Sequence, residues 1–196
     1  MFHEIPDTIL KRMTYLEDLD RRHRSENTPS SIRLRQVPRQ TGKFLAVIAA
    51  LAPKGLYLEI GTSGGYSAMW LALACRHVGA ELVTFEVSKE KVILARETFR
   101  EAGVEDVVTL VHGDARDYLD KYKGIAFCFL DAEKDMYAEC YEKIVPNMVT
   151  GGILVADNVI SHKDILESMV ENALHDPRVD ALIVPIGSGE LVCVKR

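Results

Sequence analysis

Five acidic residues stand at or just beyond the ends of short apolar runs: Glu59 near the end of Leu56 to Ile60, Glu86 after Glu81 to Phe85, Asp114 after Val107 to Val111, Asp131 after Ile125 to Leu130, and Asp157 after Ile153 to Ala156. Gathered on one edge, such carboxylates repel one another unless a cation or a cationic ligand lies among them. Asn158 follows Asp157 directly and adds a neutral oxygen donor. The first run opens into Gly61-Thr62-Ser63-Gly64-Gly65, whose glycines let a ligand approach the backbone at the N-terminus of the next helix. Ser63 and Tyr66 hold the second and third glycine positions of GxGxxG, which speaks against a nicotinamide pyrophosphate. No lysine occupies the P-loop position, and the acidic edge is hostile to nucleotide phosphates. Glu86 lies 25 residues after Gly61, where an acid can accept hydrogen bonds from both hydroxyls of a ribose, and the spacing suits an adenosyl ligand.

The elements that must position these residues follow from periodicity. Apolar residues at helical spacing predict a helix from Asp7 to about Arg24, a loop over Ser25 to Ser31, and a second helix from Pro38 or Arg39 to Leu51. Strand-like runs then alternate with helices over Tyr66–His77, Ser88–Ala102 (closed by Gly103), a short Ala115–Lys121 and Lys134–Val149 (closed by Gly151-Gly152). The last of these carries Tyr137, Cys140, Tyr141, Ile144, Val145 and Met148 as one amphipathic stripe. Ser161-x-x-Asp164 resembles a capping box opening a helix to Leu174. Strands at Ala181–Val184 and Leu191–Val194 are joined by too few residues for a parallel crossover, so they pair antiparallel. The chain therefore reads as a single α/β domain, a three-layer αβα sandwich with a mostly parallel seven-stranded sheet and a terminal antiparallel hairpin. In such a sheet ligands bind beyond the carboxyl ends of the strands, where the five acids lie.

At 196 residues, with 47% apolar and 27% charged, the composition is that of a globular chain, and a protein this size buries about 70% of its surface without staples. The net charge of −5 argues against nucleic acid as a partner. Arg21, Arg22, Arg24, Arg33, Arg35 and Arg39 form a local exception, read as a solvated face or as a docking patch for an anionic group. Apolar runs reach about half the roughly 18 residues of a membrane span, and Met1 to Asp7 offers no signal-peptide pattern, so the expected compartment is the cytoplasm. Cys75, Cys128, Cys140 and Cys193 have no CxxC spacing and read as buried free thiols. Trp70, Tyr137 and Tyr141 read as core, and His162 as a loop or capping residue.

The motifs Leu58-Glu-Ile-Gly-Thr-Ser-Gly-Gly-Tyr-Ser67, Phe85-Glu86, His112-Gly-Asp-Ala115, Leu130-Asp-Ala-Glu-Lys134 with Tyr137, and Gly151-Gly-Ile-Leu-Val-Ala-Asp-Asn-Val159 resemble, in order, those of S-adenosylmethionine-dependent O-methyltransferases. The resemblance is to the cation-dependent catechol and caffeoyl-CoA branch, and it runs from about Gln40 to the C-terminus. It implies a Rossmann-like class I methyltransferase fold over 40–196, with 1–39 as a helical cap or dimer contact, and a homodimer. It also implies that Glu59, Gly61, Ser63, Gly65 and Ser67 line the methionine half of the cofactor, that Glu86 holds its ribose, and that Asp114 and Ala115 hold its adenine. Asp131, counted with the cofactor site as well, joins Asp157 and Asn158 as ligands of a divalent cation (Mg²⁺, with Mn²⁺ or Ca²⁺ as alternatives), and Lys134 matches the general base. Geometry agrees, because neighbouring strands ending in Asp131 and Asp157 lie about 4.8 Å apart and two carboxylates with an amide oxygen suit a hard cation.

The implied acceptor is a small hydroxylated aromatic. The chain departs from the family at Glu133, where Asp is usual, and between Asn158 and Ser161, where only Val159-Ile160 stand in place of an insertion. Both differences bear on the acceptor side. Three other readings stay open: a cation-independent small-molecule methyltransferase, a protein or RNA methyltransferase, and a non-enzymatic adenosyl-binding protein. A nicotinamide-linked dehydrogenase is disfavoured by the glycine spacing.

Overall fold

A computed structural model describes residues 4–26, 28, 29 and 32–196; Asn27, Ser30 and Ser31 of the expected loop lie outside them. The elements run α1 (Asp7–Ser25), α2 (Arg39–Leu51), β1 (Leu56–Ile60), α3 (Tyr66–Val78), β2 (Leu82–Glu86), α4 (Lys89–Ala102), β3 (Val108–His112), β4 (Ile125–Leu130), α5 (Tyr137–Ile144), β5 (Met148–Ala156), α6 (Lys163–Leu174), β6 (Val179–Val184) and β7 (Glu190–Lys195). The sheet order is β3-β2-β1-β4-β5-β7-β6. β1 to β5 pair in parallel, and β7 runs antiparallel to both β5 and β6. The expected α/β sandwich and its terminal hairpin are thus present.

Side-chain alternation along the strands sends residues to two cores. Tyr57, Phe127, Phe129 and Val155 pack under α1 to α4 around Trp70, which is fully buried. Leu58, Ile60, Cys128, Leu130 and Leu154 pack under α5 and α6. α3 is buried on all sides through its first ten residues, because it lies between the sheet and α2. Ile9, Met13 and Leu16 recur at helical spacing and seat α1 in that first core. Ser88 caps α4 by accepting from the Lys91 amide, and Gly103 ends it at φ 65°. All four cysteines are buried and free, and Tyr137 and Tyr141 are buried as expected.

Three expectations fail locally. The helix predicted from Lys134 to Val149 is α for only Tyr137–Ile144, flanked by 3₁₀ turns at Lys134–Met136 and Val145–Asn147. Pro146 cannot donate the hydrogen bond that would continue the helix. Met148, the last residue of the apolar stripe, already begins β5, and Gly151 (φ 78°) sits where the β4–β5 register slips. The segment Ala115–Lys121 forms two 3₁₀ turns, Ala115–Asp117 and Leu119–Lys121, in place of one short helix. Finally, α6 starts at Lys163 with no side-chain cap, and the Ser161 hydroxyl engages His162 Nδ1 at 3.0 Å and Asn158 O instead of closing a capping box. No helix among the described residues is long and apolar enough to cross a membrane.

Candidate active site

The strand order reverses between β1 and β4, and a parallel sheet opens a crevice there. Gly61 leaves β1 at this point with φ 104°, and a Cβ on it would lie 2.1 Å from the Asp131 carbonyl oxygen, so the two chains can separate here only over a glycine. Above the opening is a cavity of about 450 Å³. Its floor is the turn after β1 and the ends of β2, β4 and β5. Its roof is the strap Arg33–Pro38 between α1 and α2.

Ser63 ties floor to roof. Its amide donates to Glu86 Oε2 at 2.8 Å, and its hydroxyl donates to Leu34 O at 2.6 Å. Glu86 takes a second amide, from Ser88, at 2.8 Å on Oε1, and still faces the cavity. Arg35, 51% exposed, pairs across the cavity with Glu133 at 2.5 Å. Arg35 (φ 48°), Ser63 (φ 47°) and Asn158 (φ 69°) are the described non-glycine residues with left-handed backbone, and all three line this cavity. Such conformations cost of order 1–3 kcal/mol each and persist where surrounding contacts impose them.

At the β4 and β5 ends, the backbone pairing that carries Leu130 opposite Ala156 brings Asp131 beside Asp157. The Lys134 ammonium donates to Asp131 Oδ1 (3.2 Å), Ala132 O (2.9 Å) and Tyr137 Oη (2.9 Å), and Tyr137 in turn donates to Asp157 O (3.1 Å). Burial raises the pKa of both Asp131 and Asp157, with the neighbouring carboxylate raising and Lys134 lowering that of Asp131. The Asn158 amide donates to Asp157 Oδ1 at 2.5 Å. The oxygen donors available to a cation are thus the carboxylates of Asp131 and Asp157 and the amide of Asn158, all lining the cavity. That set suits a hard divalent ion. Among the described residues no group of three histidine, cysteine or acidic side chains is placed to hold a metal.

Of the residues singled out in the sequence, Gly61, Ser63, Ser67, Glu86, Ala115, Asp131, Lys134, Asp157 and Asn158 line this one cavity. Glu59, Gly65 and Asp114 do not. Glu59 shares the β1 face of Tyr57 and points beneath α3, where its Oε2 accepts from Thr84 Oγ1 at 2.5 Å. Burial pushes its carboxyl up to about 7 against the hydroxyls of Ser67 and Thr84. Gly65 backs onto the Phe99 ring, 2.7 Å from where its Cβ would be. The Asp114 carboxylate is taken by Arg116, with Oδ2 2.6 Å from Nη2, which holds it well below the usual carboxylate range.

Two groups at the site went unread in the sequence. Lys91 lines the cavity at 9% exposure, its ammonium pushed down by burial and supported by Glu86. Glu190 is fully buried beside Asp157. Its one signal is an acid at the head of the apolar run Leu191-Val-Cys-Val194. His162 is the N-cap residue of α6, in keeping with the loop or capping reading, and it also lines the cavity near Asp157.

A family model described as O-methyltransferase matches residues 8–196. The catechol O-methyltransferase of Mycobacterium tuberculosis is 36% identical over 132 residues, which are 66% of this chain and 60% of that relative, so the chain spans under two thirds of its length. The caffeoyl-CoA O-methyltransferase of Medicago sativa is 24% identical over 177 residues, 78% of this chain and 71% of that protein. A solved O-methyltransferase from Bacillus cereus, in complex with SAH, matches at TM-score 0.79 and 25% identity over 95% of this chain and 91% of that one.

Proposed function

The chain belongs to the S-adenosylmethionine-dependent O-methyltransferase family, and we propose that it methylates a hydroxyl of a small aromatic of catechol or caffeoyl type with the help of a divalent cation. One observation carries the reading: Asp131, Lys134, Asp157 and Asn158 line a single cavity with Glu86 and the Gly61–Ser63 turn, so the groups for a methyl donor and for a hydroxylated acceptor share one site.

On the donor side, Gly61 lets backbone approach the ligand and Glu86, fixed by two amides, offers carboxylate oxygens to a ribose. The donor's sulfonium methyl is already activated, so positioning supplies most of the rate. On the acceptor side, Asp131, Asp157 and Asn158 are the residues that would hold a divalent cation, which would supply acidification of an acceptor hydroxyl. Lys134 Nζ, which lines the cavity beside Asp131, accepts the acceptor hydroxyl's proton as its oxygen takes the methyl group and the donor leaves as its thioether. Asp131 Oδ1, Ala132 O and Tyr137 Oη, each within 3.2 Å of Nζ, hold the amine at the cavity wall. The short Val159–Ser161 connection is pinned by amides to Ser188 O and Gly189 O, and Asn158, His162, Ser188 and the strap Arg33–Pro38 line the part of the cavity left for an acceptor.

Calorimetric titration of Mg²⁺ in the presence of S-adenosylhomocysteine and a simple catechol, on the parent and on Asp157→Ala, tests this. Saturable binding in the parent that the variant loses supports the cation site. Bound S-adenosylhomocysteine without Mg²⁺ binding overturns it and redirects the search to cation-independent acceptors.

A further inference from the structure

Five lysine and arginine side chains line the cavity: Arg24, Arg33, Arg35, Lys91 and Lys134. Four are engaged within the chain. Arg24 donates to Asp20 at 2.8 Å, Arg33 to Thr28 O at 2.6 Å, Arg35 to Glu133, and Lys134 to Asp131. Lys91 differs: only 9% of it is exposed, yet its ammonium makes no hydrogen bond or ion pair among the described residues. A buried ammonium left without a hydrogen bond is costly, and one that lines a cavity has its acceptor to gain from a ligand.

The backbone fixes where this ammonium stands. Ser88 links the acid at the end of β2 to the lysine in the first turn of α4: its amide donates to Glu86 Oε1 at 2.8 Å, and its hydroxyl accepts from the Lys91 amide at 3.4 Å. Lys91 lies one turn before Leu94, on the same helix face. Leu94 and Leu34 of the strap gather over Gly64, their Cδ2 atoms 3.4 and 3.3 Å from where its Cβ would lie. Lys91 is thus on the donor side, beneath the strap, with Glu86 and Ser63. Glu86 is the acid that most favours its charged form, with Glu133 and Asp131 adding to it and Arg35 opposing.

Two kinds of ligand group can satisfy such an ammonium. An anion would also face the Glu86 carboxylate, which repels it. A neutral hydroxyl suits both neighbours, because it gives its hydrogen to the carboxylate and accepts one from the ammonium on its oxygen. We propose that Lys91 is a second ribose-binding residue, its ammonium donating to the oxygen of a ribose hydroxyl whose own hydrogen goes to Glu86. This rests on the reading above in which Glu86 holds the donor's ribose. Lys91 acts in donor binding and takes no part in proton transfer.

The test is calorimetric binding of S-adenosylhomocysteine, and of its 2′-deoxy and 3′-deoxy analogues, to the parent and to Lys91→Met. Methionine keeps the length of the stem and removes the donor. Loss of one charged hydrogen bond weakens S-adenosylhomocysteine binding roughly 10- to 100-fold. The analogue that lacks the contacted hydroxyl binds parent and variant within about threefold of each other, because the interaction is already gone. If Lys91→Met fails to fold, by urea denaturation without ligand, Lys91→Leu takes its place. Parent-like S-adenosylhomocysteine binding in the variant overturns the inference. So does an equal loss for S-adenosylhomocysteine and both analogues, which makes Lys91 a support of the cavity wall and not a partner of a hydroxyl. A parent that binds no S-adenosylhomocysteine instead overturns the donor reading, and this inference falls with it.

Discussion

Replacing Glu59 by Gln removes a pH dependence that burial of this carboxyl imposes on folding. Glu59 is wholly enclosed beneath α3, with only the hydroxyls of Thr84 and Ser67 to favour its charged form, and its pKa rises from 4.5 to about 7. The folded chain therefore keeps a proton on Glu59 through a window in which the unfolded chain has lost it. Unfolding releases that proton, so stability falls as pH rises from about 4.5 and levels off above about 7. Between pH 5 and pH 8 the Glu59 contribution amounts to roughly 2 kcal/mol, from 1.36 kcal/mol per pKa unit. The isosteric amide keeps an acceptor for Thr84 and cannot ionise. Urea denaturation of the ligand-free parent and Glu59→Gln across that range reads the difference directly: the variant gains on the parent by this amount as pH rises, and taking the difference cancels the other titrating groups the two share. Parallel curves would refute the assignment of a proton to Glu59 and, with it, the enclosure that places this residue behind the cavity wall.

Lys134→Met lowers turnover by about 10²- to 10⁴-fold, measured as S-adenosylhomocysteine formed, while S-adenosylhomocysteine affinity changes little; unchanged turnover would remove Lys134 from proton transfer. Gly42→Ala puts a methyl 2.3 Å from the buried Trp70 indole and costs about 1–3 kcal/mol of stability by urea denaturation. Arg35→Ala breaks the exposed Arg35–Glu133 bridge, so stability shifts by under about 1 kcal/mol, whereas stopped-flow dissociation of S-adenosylhomocysteine speeds up because the strap loses its tie across the cavity.

Strand ends were legible because each apolar run is bounded by glycine or an acid, and Leu56–Ile60 and Ile125–Leu130 match residue for residue. A parallel sheet then places the residues after those runs on one edge, which is why Gly61, Glu86, Asp131 and Asp157 meet. What spacing left unread was side-chain direction and partner choice. Glu59 lies one residue before the end of β1, and the two-residue alternation turns it away from the cavity that Ile60 and Gly61 line. Asp114 was available to a ligand on paper, but Arg116 two residues on claims it. Helical spacing continued through Val145 and Met148, yet one proline outweighs a stripe of apolar residues. Glu190 is far in sequence from Asp157, and only the antiparallel return of β7 beside β5 brings them together.

The cavity is built from two sources that evolution can alter separately. Its floor consists of strand ends and turns whose backbones are tied into the sheet, as where Asp131 donates to Ile60 O and Asp157 to Leu130 O, so a change there disturbs fold and donor binding together. Its roof, the strap Arg33–Pro38, belongs to a connection between helices that touches the floor through few polar ties, Ser63 to Leu34 O and Arg35 to Glu133. If the proposed function holds, substitutions in the strap would alter the acceptor side while leaving the backbone ties of the floor in place.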